Sequence, residues 1–141
     1  MTVAAQASLP ASPAGPARAG LWTGRALSGL VIAFLVFDAG IKLARLPIVE
    51  ETGGQLGLPT GAGFALGVLL AWITVLYAIP RTALLGAVLL TGYLGGAICT
   101  HVIAGSPLFT HLLFGVYVGI VAWAGLWLRD PALRALFPLR R

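Results

Sequence analysis

Residues 61–104 read GAGFALGVLLAWITVLYAIPRTALLGAVLLTGYLGGAICTHVIA, and Arg81 is the only Asp, Glu, Lys or Arg among them. Pro80-Arg81 divides the stretch into two apolar runs, 61–79 and 82–104. Each run approaches the ~20 residues that a helix needs to cross ~30 Å of hydrocarbon. Proline followed by a charged residue makes a very short turn, so the pair predicts a helical hairpin with both arms in a bilayer. Outward from this hairpin the pattern repeats on both sides. Residues 22–46 form an apolar run that ends before Pro47, and 47–60 hold Glu50, Glu51, Gly53, Gly54, Gly57 and Pro59. That segment is expected to be a loop with at most a short interfacial turn. On the other side Gly105-Ser106-Pro107 punctuates a turn, residues 108–128 form the last run, and Arg129-Asp130-Pro131 closes it.

Composition agrees with a membrane fold. The chain has 141 residues, of which 59% are hydrophobic and 9% charged, with a mean hydropathy of +0.97. A water-soluble domain of this size would have to display large apolar areas. The net charge of +5 does not indicate nucleic-acid binding, because the arginines sit at the ends of apolar runs and form no patch. The single cysteine, Cys99, excludes dithiol exchange within the chain and is expected to be a small buried hydrophobe.

The expected fold is all-α: an integral membrane four-helix bundle over 22–128, after a disordered Ala/Pro/Ser-rich tail over 1–21 and before a short basic tail over 129–141. The N-terminal tail lacks the basic start and apolar core of a signal peptide. Four spans put both termini on one side. Arg18, Arg25, Arg81, Arg129, Arg134, Arg140 and Arg141 fall on that side, whereas Lys42 and Arg45 fall near the other, beside Glu50 and Glu51. The positive-inside rule therefore places both termini in the cytoplasm. Gly24-x-x-x-Ser28, Gly63-x-x-x-Gly67, Gly92-x-x-x-Gly96 and Gly115-x-x-x-Gly119 put one small-x-x-x-small pattern on each helix, the pattern of closely packed membrane helices. Trp22, Trp123 and Trp127 fit an interfacial belt, and Trp72 is expected to serve packing.

Polar groups at membrane depth are costly and point to function. Counting ~1.5 Å per residue from the cytoplasmic ends puts Asp38, Lys42, Cys99, His101 and His111 in the outer half of the bundle, with Tyr93 and Tyr117 nearer its middle. The inner half reads as almost purely apolar. Asp38 and Lys42 are four residues apart and share a helix face, so they are expected to pair. His101 and His111 flank the Gly-Ser-Pro turn. They suit a metal or bis-histidine haem, the polar head of a lipid-soluble ligand, or a plain interfacial position. A closed zinc site would need two more strong ligands, with only Cys99 and Asp38 in reach, and no metal ligand set is assigned. The candidate ligand-binding residues are Asp38, Lys42, His101, His111, Tyr93 and Tyr117.

The string from Val75 through Ile79-Pro80-Arg81-Thr82-Ala83 to Tyr93-Leu94-Gly95-Gly96-Ala97 and Thr100-His101 resembles the DoxX-like family of small four-helix bacterial membrane proteins. Phe37-Asp38-Ala39-Gly40-Ile41-Lys42-Leu43 and Trp127-Leu128-Arg129-Asp130-Pro131 match the same family. The resemblance implies the four-helix fold, a bacterial cytoplasmic (inner) membrane location with several passes, and a link to quinone-dependent redox chemistry. It carries over no catalytic residue. The first functional expectation is a quinone-linked redox accessory subunit that binds a quinone or lipid head group and works beside a redox partner protein. It is not expected to be an enzyme on its own, since it has no cysteine pair and no flavin or dinucleotide fingerprint. A structural or assembly protein without its own ligand is the alternative, and a small transporter with Asp38 as coupling carboxylate is the lesser one. The lipid bilayer is the expected partner, with a homo-oligomer as a further option and no nucleic acid.

Overall fold

The computed structural model describes residues 15–136. Most of the tail expected over 1–21, and the end of the basic tail, lie outside the described residues. Within them the chain is all-helical, with six α-helices and one π turn.

Helix α1 runs over Gly15–Leu43, so it begins inside the segment expected to be a tail. The described part of α1 includes Pro16, and a proline is tolerated in a helix's first turn, where its missing N–H breaks no bond. The helix stops where Arg45 adopts a left-handed φ of 52°. There Leu46 N donates to Ile41 O at 3.3 Å and Arg45 N to Lys42 O at 3.1 Å, the paired bonds of a Schellman stop.

The segment expected to be a loop contains a helix, α2, over Pro47–Gln55. Pro47 opens it and Gly57, with φ 75°, follows its end. No residue of α2 is buried, and Glu50 Oε2 accepts from Gly61 N at 3.1 Å. Helix α3 spans Ala62–Ala78 and α4 spans Ala83–Ile103. Between them Thr82 Oγ1 donates to Leu76 O at 2.8 Å and pins the Pro80-Arg81 turn. A π turn over Leu108–Leu112 leads into α5, Phe114–Arg129. The basic tail begins with a short helix, α6, over Pro131–Leu136. Pro131 is its first residue, and Asp130 Oδ1 caps it by accepting from Ala132 N at 2.9 Å.

The four longer helices pack antiparallel in a ring. Helices α1 and α4 each lie between α3 and α5. Both described chain ends and the Pro80-Arg81 turn therefore lie at one end of the bundle, the terminus end. Helix α2, the Gly105 turn and the π turn lie at the other, the loop end. The core follows the helical period: Val31, Leu35 and Ala39 of α1, Leu70, Ile73 and Tyr77 of α3, Ala83, Ala87, Leu90 and Leu94 of α4, and Ala122 and Leu126 of α5.

In lipid, close packing holds helices together because hydrocarbon already satisfies apolar surface. Three of the four small-residue pairs work this way. A Cβ on Gly24 would meet Arg129 N at 2.7 Å, one on Gly67 would meet Lys42 Cβ at 2.7 Å, and one on Gly115 would meet the Ile98 side chain at 3.0 Å. The fourth pair does not: a Cβ on Gly92 or Gly96 would find nothing within 4 Å. Two glycines outside these pairs make other close approaches. Gly86 sits against the backbone of Tyr77, and a Cβ on Gly125 would meet Ser28 Oγ at 2.8 Å.

The terminus half departs from the almost purely apolar interior expected from the sequence. Tyr77 is fully buried, and its hydroxyl donates to Ala122 O at 2.8 Å and lies 3.3 Å from Ser28 Oγ. Arg129 lies over the Tyr77 ring and donates from Nη2 to Tyr77 O at 3.1 Å. The buried Thr74 hydroxyl returns to its own helix, donating to Leu70 O at 2.7 Å.

The outside of the bundle is apolar. Trp22, Leu30, Phe37, Trp72, Val88 and Ile120 are all more than half exposed. Trp72 thus faces outward instead of packing inside, and Cys99 is exposed instead of buried. Both lie on the outward-facing side of their helices, where periodicity in a uniformly apolar run gives no warning. By length and composition three helical stretches suffice to cross a membrane: Arg18–Leu43, Ala83–Ile103 and Leu108–Arg129. Helix α3, with 17 residues, is an apolar helix shorter than these.

Candidate functional site

At the loop end the four helices part around a cavity of about 720 Å³. Its ionisable lining comes from α1, α4 and the π turn. On α1, the i,i+4 spacing puts Asp38 and Lys42 one above the other, beside the buried Leu35 and Ala39. Lys42 Nζ lies 2.5 Å from Asp38 Oδ1, with the side chains 18% and 24% exposed respectively. Gly67 lets α3 approach the backbone of α1 at Lys42. The pair neutralises itself where either charge alone would be expensive.

Tyr93 and His101 line the cavity from α4. The Gly105-Ser106-Pro107 turn both ends that helix and orients the histidine. Gly105 takes φ 65°, Ser106 N donates to His101 O at 3.0 Å, and Ser106 Oγ lies 2.9 Å from His101 Nδ1. His111 comes from the π turn, where Leu113 N donates to Leu108 O at 2.9 Å and Leu112 N to Pro107 O at 3.3 Å. Such i→i+5 turns re-aim side chains and recur at functional sites. His111 Nδ1 lies 2.8 Å from Thr110 Oγ1, and the two imidazole centroids are 5.7 Å apart. In each histidine one ring nitrogen is engaged by a hydroxyl, which leaves Nε2 for a further partner.

The remaining walls are mostly apolar. Phe34 meets Phe114 edge-on at 5.4 Å between centroids and bridges α1 and α5. Ile48, Val49 and Thr52 of α2, with Leu56 just after it, line the loop end. A Cβ on Gly63 would meet Val49 Cγ1 at 2.6 Å, so a bare backbone on α3 is what seats α2 there.

Asp38, Lys42, Tyr93, His101 and His111 therefore line one cavity. Tyr117 is not part of the lining and is 46% exposed on the outside of α5. Among the described residues no group of three or more His, Cys, Asp and Glu side chains comes together as a metal site. Sequence reasoning missed the Phe34–Phe114 contact, the α2 wall and the Tyr77–Ser28–Arg129 cluster. Only Tyr77 carried a signal, since a tyrosine in an apolar helix needs a partner for its hydroxyl.

The sequence profile of the DoxX-like family matches residues 26–125. The chain belongs to the DoxX-like family. The matched region of this DoxX-like chain runs from α1 into α5 and takes in Asp38, Lys42, Tyr93, His101 and His111 of the cavity. No curated protein and no solved structure matches the chain. Family membership together with the long apolar helices makes it a membrane protein.

Proposed function

We propose that this DoxX-like protein spans the bacterial cytoplasmic membrane four times and binds a lipid-soluble ligand with a polar head, of the quinone class, in the cavity at the loop end. One observation carries this reading: five ionisable side chains from three elements border a single cavity whose other walls, Thr52 and Thr100 apart, are apolar. A concave apolar site of ~300–1,000 Å³ with a few convergent polar groups is the usual form of a small-molecule site. The polar groups are donors and acceptors for a head group, and the apolar walls suit an attached hydrocarbon chain. A sugar or nucleotide, polar over its whole surface, would leave most of its hydrogen-bonding groups unpaired there. The chain is an accessory in this reading, and a separate redox partner in the membrane supplies the electron transfer.

The topology proposal rests on the arginines. Arg18, Arg25, Arg81, Arg129 and Arg134 belong to the terminus end, which is the cytoplasmic end in this reading. Helix α3, at ~26 Å, reaches the lower limit of a span, and local thinning of the bilayer accommodates the shortfall.

The test is to purify the full chain in mild detergent from its own membranes and analyse an organic extract by mass spectrometry. The expected result is a stoichiometric amphipathic small molecule in the parent protein, depleted in Lys42→Met and His101→Ala. A parent protein that carries no such molecule, or variants that retain it in full, would remove the reading. A structural or assembly role has one observation in its favour, the glycine seams and the Tyr77 cluster that tie the terminus half together. It predicts a stoichiometric partner protein and an empty extract.

A further inference from the structure

The cavity is not closed sideways. Leu69 of α3 and Leu89 of α4 both line it, yet they are 50% and 42% exposed on the outside of the bundle. Gly92 and Gly96 also line it and are also exposed. Leu69 and Leu89, one from each helix, mark an opening of the cavity between α3 and α4. On α4, residues 89, 92 and 96 fall on one face and line the cavity, whereas Leu94 and Ile98 meet α5 at Gly115. Helices α3 and α4 touch backbone to backbone where Gly86 meets Tyr77, near their shared turn. Further from the turn nothing lies within 4 Å of a Cβ at Gly92 or Gly96. The two helices are tight at the terminus end and leave a gap at the level of the cavity.

We propose that this gap is a lateral portal to the hydrocarbon of the bilayer, and that the cavity holds one aliphatic chain that lies across Gly92 and Gly96 on its way out. The inference rests on the cavity reading above and specifies the ligand further, as an amphipath with a single slender tail. The absent side chains fit that occupant. Each glycine is a place where a chain can lie directly on a helix backbone, and the two are one helical turn apart, which makes a bed one chain wide. Leucine on either side of the gap gives the chain apolar walls, and hydrocarbon beyond gives it somewhere to end. The chain has two possible sources, the ligand's own tail or an acyl chain of a membrane phospholipid.

Phe34 reports on the cavity, because it lines it from α1 and packs edge-on against Phe114, which also lines it. The full chain with Phe34→p-benzoylphenylalanine is reconstituted in vesicles of phosphatidylethanolamine and phosphatidylglycerol, with and without added decyl-benzoquinone, and irradiated. Mass spectrometry then identifies the adduct. A phospholipid mass and a quinone mass distinguish the two sources. The expected result is a hydrocarbon adduct whose yield falls severalfold on adding Gly92→Leu or Gly96→Leu. Gly95→Leu should leave the yield unchanged, since Gly95 is equally open but does not border the cavity. If a leucine variant fails to fold, the Gly92→Ala/Gly96→Ala double variant gives a smaller decrease. Absence of any hydrocarbon adduct, or a yield indifferent to residues 92 and 96, overturns the portal. An adduct that follows the glycines, beside ligand retention indifferent to Lys42 and His101, leaves the portal standing and removes the head-group reading.

Discussion

The Lys42 ammonium and the Asp38 carboxylate meet on one face of α1, at a depth where an unpaired charge is costly. Each side chain is about four-fifths covered, so water does little to screen either charge alone. Asp38→Asn strands a cation and Lys42→Met strands an anion, whereas the double change removes both. Each single substitution should therefore lower the melting temperature in detergent more than the pair does. The coupling energy from the double-mutant cycle should be about 1–2 kcal/mol. Strictly additive losses would mean that the contact contributes nothing to stability. This pair was legible in the sequence, because i,i+4 spacing on a helix brings the two side chains together whatever the rest of the fold does. The outward position of Tyr117 was not legible. Depth along a helix follows from counting residues, but rotation about its axis depends on what the neighbouring helices bury.

At the scale of the helices, glycine has two opposite uses here. Gly86 and Gly125 bring backbones together: one sits against Tyr77, the other against Ser28. These contacts hold the Tyr77 hydroxyl at hydrogen-bonding distance from Ala122 O and Ser28 Oγ. Gly95 touches nothing. Gly86→Ala should destabilise the bundle by about 3 kcal/mol or more, since the new methyl meets backbone that cannot move aside. Gly95→Ala should be neutral or stabilising by up to ~1 kcal/mol, the difference in helix propensity. Chemical unfolding in mixed micelles measures both, and equal effects at the two sites would contradict the packing described here. The sequence showed the four glycine-containing repeats but not which of them pack. A small-x-x-x-small spacing marks a smooth helix face, and only the neighbour decides whether that face meets a helix or a gap. Helix α2 was missed for a related reason: proline is a breaker inside a helix and a starter in its first turn, and Pro47 opens α2.

Taken whole, the bundle divides into two halves with different physics. The terminus half is knit by glycine seams and by Tyr77, Ser28 and Arg129, with its helices in close contact. The loop half is spread around a cavity lined by Asp38, Lys42, Tyr93, His101 and His111. A firm base that positions an open end suits a protein that binds something from the membrane. The helical class, the long apolar helices and the family were legible because hydrophobic length and the Tyr93–His101 string are local properties of the chain. The gathering of polar groups at one depth was legible from counting along the helices. The cavity itself was not, since it depends on Gly63 seating α2, on the π turn presenting His111 and on the gap beside Gly92. The most direct test of the binding claim is an equilibrium titration of the purified full chain with decyl-benzoquinone, followed by quenching of tryptophan fluorescence. Saturable binding should weaken by about tenfold in Lys42→Met and in His101→Ala, roughly the loss of one hydrogen bond to a charged or polar donor. Tyr117→Phe, outside the cavity, should bind like the parent. Binding that is absent or unsaturable in the parent, or equal in all four proteins, would contradict a ligand site at the loop end.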